Sequence, residues 1–288
     1  MFLLPVLACA ATSACASGDD NAPAVATPTL TLESPSAAIG TPIEMTYRFT
    51  VAGNWPARTE DYWVFVHFLD VDRELMWTDD HEPPTPTRQW KPGSTVEYSR
   101  TMFIPKFPYV GQTRVEVGLF SPTTGDRLPL SGETTGQRSY HVATFDMRVQ
   151  SDNLFVVFRD GWYETETSGS TSGQAWQWSK KDATLSFRNP KRNVEVYLQV
   201  DQPVAGLPDP QRVEVRAGPT LVDSFKLQAG AMELRRFQIP AGQLGDAETV
   251  ELAISVDKTF VPASLPALRS NDPRTLGVRV FRAYVQPS

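Results

Sequence analysis

From Leu30 onward apolar and polar positions alternate with a period of two, the pattern of a half-buried strand. Leu30-Thr31-Leu32 and Ile43-Glu44-Met45-Thr46-Tyr47-Arg48-Phe49 carry it clearly, and Ser34-Pro35 and Gly40-Thr41-Pro42 punctuate it with turns. Residues 62–69 (YWVFVHFL) are apolar almost throughout, which suits a central strand of a sandwich. Residues 97–104, 114–120 and 139–149 complete a first set of strands. A second set follows at 154–158, 183–187, 194–200, 212–216, 223–227, 233–239, 249–256 and 277–285. No segment sustains a 3.6-residue stripe over ten positions, and no short repeat marks a propeller or solenoid. The pattern predicts an all-β fold of two tandem β-sandwiches, 29–150 and 151–288, the second jelly-roll-like.

Composition supports packed cores. The 288 residues are 41% hydrophobic and 10% aromatic, enough for one large or two ordinary domains. The net charge of −6 falls entirely within 19–150, and 151–288 is balanced. Neither half has the basic excess that neutralises phosphates, so nucleic acid is not an expected partner.

The N-terminal stretch 2–14 (FLLPVLACAATSA) is apolar, then small, and too short to span a bilayer as a helix. It reads as the apolar region and cleavage zone of an export signal, although no Lys or Arg precedes Arg48. Thr12-Ser13-Ala14-Cys15, followed by Ala16-Ser17-Gly18-Asp19-Asp20, resembles a bacterial lipoprotein signal. That resemblance implies lipidation of Cys15 within a signal spanning 1–15; Val6-Leu7-Ala8-Cys9 is the alternative site, and a plain secretory signal the alternative reading. Residues 16–28 (ASGDDNAPAVATP) then form a flexible tether. On this reading the protein is exported and lipid-anchored in the cell envelope, at the outer membrane or cell surface. Cys9 and Cys15 are the only cysteines, so the body of the chain holds no disulfide, thiolate nucleophile or Cys-ligated zinc.

Two further resemblances concern the body. Val64-Phe65-Val66-His67-Phe68-Leu69-Asp70, Trp77-Thr78-Asp79-Asp80-His81, Trp90-Lys91-Pro92-Gly93, Val117-Gly118-Leu119-Phe120 and Thr124-Gly125-Asp126-Arg127-Leu128 resemble an immunoglobulin-like accessory domain of bacterial membrane and surface proteins, often ones handling glycans. Gly161-Trp162-Tyr163-Glu164, Trp176-Gln177-Trp178, Phe260-Val261-Pro262-Ala263 and Asp272-Pro273-Arg274-Thr275-Leu276-Gly277-Val278 resemble a β-sandwich module of bacterial glycosyltransferase and surface polypeptides. The resemblances imply fold; neither module carries a settled activity.

Candidate chemistry is sparse. His67, His81 and the acidic Asp79, Asp80 and Glu82 have a metal reading, yet they lack ligand spacing, and a strand histidine beside a solvated turn is the favoured one. No metal or cofactor is expected. No nucleophile elbow or phosphate-binding glycine loop occurs. Glu164 with Glu166, and Asp257 with Asp272, are candidate carboxylate pairs for glycoside hydrolysis, though 33 acidic residues make such pairs common. More suggestive are Trp162, Tyr163, Trp176 and Trp178, which flank the polar loop 165–174. Sugars stack flat C–H faces on indole rings, and Glu164, Asp272 and Arg274 would bind hydroxyls. The competing reading places the tryptophans in the core, with Asp272 and Arg274 stapling the long 259–274 connection. The expected function is a non-catalytic surface lipoprotein that binds glycan or assists envelope polysaccharide assembly. Its alternatives are a structural or protein-interaction module of the envelope and a glycoside hydrolase. The expected partners are accordingly the membrane, through the anchor, and a polysaccharide or an envelope protein.

Overall fold

A computed structural model describes residues 22–57, 59–150, 154–168, 174–202, 207, 209–228 and 230–288. The lipidation candidates Cys9 and Cys15 lie outside the described residues. The chain divides into two compact units between Ser151 and Asp152. Each is all-β, and the only helical pieces among the described residues are single 3₁₀ turns. None is long and apolar enough to cross a membrane.

The first unit contains β1 (Ala26–Leu32), β2 (Ser36–Ala38), β3 (Pro42–Val51), β4 (Trp63–Leu69), β5 (Leu75–Thr78), β6 (Thr95–Phe103), β7 (Gly111–Phe120), β8 (Glu133–Gly136) and β9 (Ser139–Arg148). One sheet runs β1-β3-β6; the other runs β2-β9-β7-β4-β5, with β8 added on β9. The alternation in β3 turns Ile43, Met45, Tyr47, Phe49 and Val51 inward against Val64, Val66 and Phe68 of β4 and Val115, Val117 and Leu119 of β7. Each fully buried side chain of this kind contributes about 1.5–3 kcal/mol. Phe65 points to the opposite face and is nevertheless buried. Its ring lies across Gly118, where a Cβ would come within 2.3 Å of it, and Arg127 covers it at 4.2 Å. That packing is why β4 reads as apolar on both faces. The expected tether ends sooner than residue 28: Val25 and Ala26 are buried and β1 is already paired, because Val25 N–H donates to Pro129 and Ala26 opposes Val51.

The second unit contains β10 (Val157–Phe158), β11 (Glu166–Thr167), β12 (Ala175–Trp178), β13 (Asp182–Arg188), β14 (Val194–Asp201), β15 (Arg212–Ala217), β16 (Thr220–Lys226), β17 (Met232–Ile239), β18 (Thr249–Val256) and β19 (Arg279–Pro287). Its two sheets, β10-β13-β18-β15-β16 and β11-β12-β19-β14-β17, close over Leu185, Phe187, Val213, Val215, Leu252 and Ile254 on one side. Val196, Leu198, Val200, Val280 and Val285 face them. The strand expected at 154–158 is split: Leu154 bridges to Val285 in one sheet, while Val157 and Phe158 pair with β13 in the other. β14 lies between β17 and β19 and is buried on both faces over most of its length. Where β14 meets β19 the register slips. Gln199 opposes Arg282 and Val200 opposes Val280, so Phe281 is an extra residue on its strand.

Candidate functional site

The outer face of the β11-β12-β19-β14-β17 sheet carries an aromatic and ionic tier. Residues directly opposite in antiparallel strands point to the same face, so Trp178, Arg279, Asp201 and Met232 form one row across β12, β19, β14 and β17. Arg279 donates from Nε to Asp201 Oδ1 at 2.8 Å. Its guanidinium carbon lies 5.2 Å from the Trp176 ring centroid, 5.3 Å from Trp178 and 4.9 Å from Phe281. All three distances are within cation–π range. Trp176 and Phe281 have centroids 6.0 Å apart.

The long connection after β18 closes over one end of this tier. Phe260 and Leu276 exchange backbone hydrogen bonds at 2.9 and 2.8 Å, and the loop between them contains two proline-initiated 3₁₀ turns. Phe260 and Leu276 bury Trp178, with Tyr163, Trp176, Leu265 and Leu268 packed around the cluster. Asp272 holds Arg274 in a fork, Nε to Oδ1 at 2.9 Å and Nη2 to Oδ2 at 2.6 Å. These bonds draw the Asp272 pKa below the ordinary carboxylate value. Arg274 also contacts Glu166 Oε1 at 2.7 Å, and Glu166 Oε2 accepts from Trp176 Nε1 at 3.2 Å. Its guanidinium sits 5.1 Å from the Tyr163 ring, and the Tyr163 hydroxyl donates to the Thr275 carbonyl at 3.0 Å. Gly277 makes this closure possible, because a Cβ there would lie 2.4 Å from the Lys180 carbonyl and the Ser179 hydroxyl.

Tyr163, Trp176, Trp178, Asp272 and Arg274 are therefore neighbours. Trp162 is elsewhere. Its indole packs on the sandwich core against Phe158, centroids 4.7 Å apart, and its Nε1–H donates to the Thr184 carbonyl at 2.8 Å. Adjacent strand residues face opposite ways, so Trp162 and Tyr163 cannot share the tier. Glu164 is exposed at its edge. Residues 169–173 of the polar loop lie outside the described residues. Sequence reasoning missed Arg279, Phe281 and Asp201 as members of the tier. The Arg279-Val280-Phe281-Arg282 alternation is their only signal, and it is indistinguishable from an ordinary strand.

A groove of about 240 Å³ opens beside the tier, lined by Phe158, Thr165, Trp176, Gln177, Phe281 and Arg282 among others. Among the described residues β12 pairs with β19 only at Gln177 and Trp178, and Leu154 bridges to Val285 farther along that side. Small-molecule pockets that enclose a whole ligand usually hold about 300–1,000 Å³. A notch of this size has room for only part of such a ligand.

Three carboxylates of the candidate hydrolytic pairs are held by hydrogen-bond or ion-pair partners. Glu166 and Asp272 share Arg274, and Asp257 accepts from the Arg212 N–H at 2.8 Å. A hydrolytic pair needs one carboxyl that keeps its proton, whereas the arginine bonds favour ionised Asp272. Farther along the same face, Glu195 accepts from Arg236 Nε and the Tyr197 hydroxyl, each at 2.6 Å, and from Gln286 at 3.0 Å. Burial pushes its pKa up, but these donors outweigh burial and bring it below the ordinary value. In the first unit both ring nitrogens of His81 are occupied. Nδ1–H donates to the Asp79 carbonyl at 2.7 Å, and Nε2 accepts from the Tyr98 hydroxyl at 2.8 Å. Asp80 accepts from Val66 N–H at 3.0 Å. Among the described residues, no group of three or more His, Cys, Asp or Glu side chains converges to hold a metal ion.

No protein-family model matches the chain, and no curated protein is significantly similar to it. Among solved structures it is similar to the carbohydrate-binding module CBM6cm-2 of Cellvibrio mixtus lichenase 5A, in complex with cellotriose. That likeness has 10% identity and a TM-score of 0.28, over 45% of this chain and 88% of that one. The tandem CBM22-1–CBM22-2 of Paenibacillus barcinonensis Xyn10C is 10% identical with a TM-score of 0.26, over 87% and 79% of the respective chains. The Pseudomonas fluorescens alkylpurine DNA glycosylase AlkC is 15% identical with a TM-score of 0.28, over 44% of this chain and 31% of that one. Carbohydrate-binding modules thus stand among the structural neighbours, at similarity too low to assign this chain to a family.

Proposed function

We propose that this protein is a non-catalytic glycan-binding protein whose second sandwich seats a sugar at the Trp176–Phe281 groove. One observation carries the reading: two aromatic rings 6.0 Å apart flank an open notch and are held in place by the Arg279–Asp201 ion pair. Rigid aromatic faces lose little rotamer freedom on binding, and the hydrogen-bonding groups of Thr165, Gln177 and Arg282 beside them suit hydroxyls. Tyr163, Asp272 and Arg274 then act as the frame that fixes Glu166 and Trp176. They are supports one step removed from the ligand. Trp178 anchors the tier beneath the long loop, Trp162 anchors the core, and Glu164 lies at the rim.

The same proposal extends to place. Lipidation at Cys15, or at Cys9, would hold the sandwiches at the envelope surface, where polysaccharide is abundant; a single acyl chain anchors only marginally, and several anchor firmly. A glycan array probed with the full-length chain tests the binding reading. Binding to at least one glycan, abolished by Trp176→Ala, supports it, and silence across the array removes it. Metabolic labelling with radioactive palmitate tests the anchor: label on the wild type that is lost in Cys15→Ala, but kept in Cys9→Ala, assigns Cys15. Unlabelled wild-type protein would contradict an acyl anchor.

A further inference from the structure

We propose that the first sandwich carries an auxiliary glycan-binding surface around Phe65, on the outer face of the β2-β9-β7-β4-β5 sheet, which takes neutral polysaccharide alongside the groove. This rests on the glycan-binding reading above and adds a site in the other unit.

Alternate residues of a strand share a face, as do residues directly opposite in antiparallel strands. Trp63, Phe65 and His67 of β4 therefore project from one side of the sheet, with Phe120 of β7 opposite Trp63. Val64 bridges to His81 and His67 pairs with Thr78, so Asp80 falls opposite Phe65. Arg127 bridges to Phe120, and its guanidinium lies over the Phe65 ring. His67 lies against the same ring, centroids 4.7 Å apart. Trp63 remains 37% exposed beside this group, with its centroid 6.4 Å from Phe120.

A lone surface aromatic needs no explanation. The polar groups around this one point to a ligand, because the protein leaves much of their hydrogen-bonding capacity unused. Glu116, opposite His67, is the contrast: Thr135, Ser139 and Arg114 all donate to it. Neither ring nitrogen of His67 has a hydrogen-bond partner among the described residues. Burial holds its pKa below the ordinary value, so at neutral pH the ring offers one donor and one acceptor. Asp80 spends one oxygen on the Val66 N–H, and Arg127 donates from Nη1 to the Gln137 carbonyl at 3.0 Å. Arg127 feels the charge of Asp80 without an ion pair between them. The two charges stand on the β7 and β5 sides of Phe65.

That arrangement favours an uncharged sugar. A phosphate or a uronate drawn to Arg127 is repelled by Asp80, whereas a neutral pyranose meets no like charge. Its flat C–H face suits Trp63, and its hydroxyls both donate and accept, matching Arg127, Asp80 and His67. A sheet face encloses less of a sugar than a cleft does, so this surface alone holds a glycan weakly. Joined to the groove through one chain, it adds avidity on long polysaccharides. In a polysaccharide gel the two surfaces can hold different strands.

Affinity electrophoresis of the full-length chain through hydroxyethylcellulose, xylan, laminarin and galactomannan tests this. The expected result is retardation by at least one of these polymers that weakens about tenfold in Trp63→Ala at an unchanged melting temperature. Trp63→Phe, which keeps a flat ring, restores most of it. His67→Ala, which breaks no protein hydrogen bond, weakens retardation in the same direction. Phe155→Ala removes an aromatic that is 73% exposed in the second unit and leaves retardation as it was. Undiminished retardation in folded Trp63→Ala and His67→Ala, or an equal loss in Phe155→Ala, overturns the auxiliary surface and leaves groove binding intact. Loss in Trp63→Ala with full retention in Trp176→Ala supports the surface and overturns the groove. Retardation by none of these neutral polymers overturns the inference, while the wider glycan array decides the groove reading separately.

Discussion

The guanidinium of Arg279 is clasped between Trp176, 5.2 Å from its ring centroid, and Asp201 on the neighbouring strand, 2.8 Å from Nε to Oδ1. Asp201 is only 9% exposed. Removing Arg279 would leave a largely buried carboxylate without its partner. Arg279→Ala is expected to destabilise the second unit by about 2–3 kcal/mol, measured as a shift of the denaturant midpoint at unchanged slope. Arg279→Lys keeps the charge and loses the fork, so it falls between the two.

The two half-buried tryptophans predict opposite phenotypes. Trp162 packs on the main core and donates to Thr184, so Trp162→Ala should cost about 3 kcal/mol of stability. Trp176 flanks the groove, and Trp176→Ala should abolish glycan retardation at a smaller loss of stability. Thermal melts beside binding assays on both variants would show whether they separate in this way.

Gly161 sets up the turn that sends Trp162 inward and Tyr163 outward. It has φ +82°, and a Cβ there would lie 2.1 Å from the Asp182 carbonyl. Gly161→Ala therefore meets both a left-handed backbone and a backbone clash. A loss of about 2 kcal/mol or more is expected, read from the melting temperature.

Two pH windows follow from the titrating groups. Burial, aided by Arg100, keeps the His81 pKa below the ordinary value of about 6.5. The unfolded chain takes up that proton first as pH falls, so stability is full above about pH 6.5 and declines below it. Replacing the ring, as in His81→Phe, should flatten the decline between about pH 6.5 and 5 in a series of melts, whatever it does to absolute stability. Asp272 and Glu195 are also depressed, through Arg274 and through Arg236, Tyr197 and Gln286. Their contribution is complete above about pH 4, the ordinary carboxylate range, and is lost as pH falls through the lower folded-state values.

Long strands were legible because alternation has room to repeat. β3, β15 and β18 each show it over six or more positions, and the burial follows. Short strands were not. β11 has two residues and β12 four, too few to define a period, and their pairing comes from the contacts of Glu166 with Trp176. The aromatic cluster 162–178 was visible as composition, but its division between core and surface depends on the turn at Gly161. Phe281 was hidden for a different reason. A bulge exists only relative to the partner strand, and nothing within 277–285 announces that Gln199 and Val200 will oppose Arg282 and Val280. Asp201 and Arg279 are 78 positions apart, and only the sheet order joins them.

The most direct test of glycan binding at the groove is affinity electrophoresis of wild-type, Trp162→Ala and Trp176→Ala chains through gels containing a panel of polysaccharides. Retardation of the wild type by particular glycans, retained in folded Trp162→Ala and lost in folded Trp176→Ala, is the predicted result. Wild-type mobility unchanged in every gel, or retardation that survives Trp176→Ala undiminished, would contradict it.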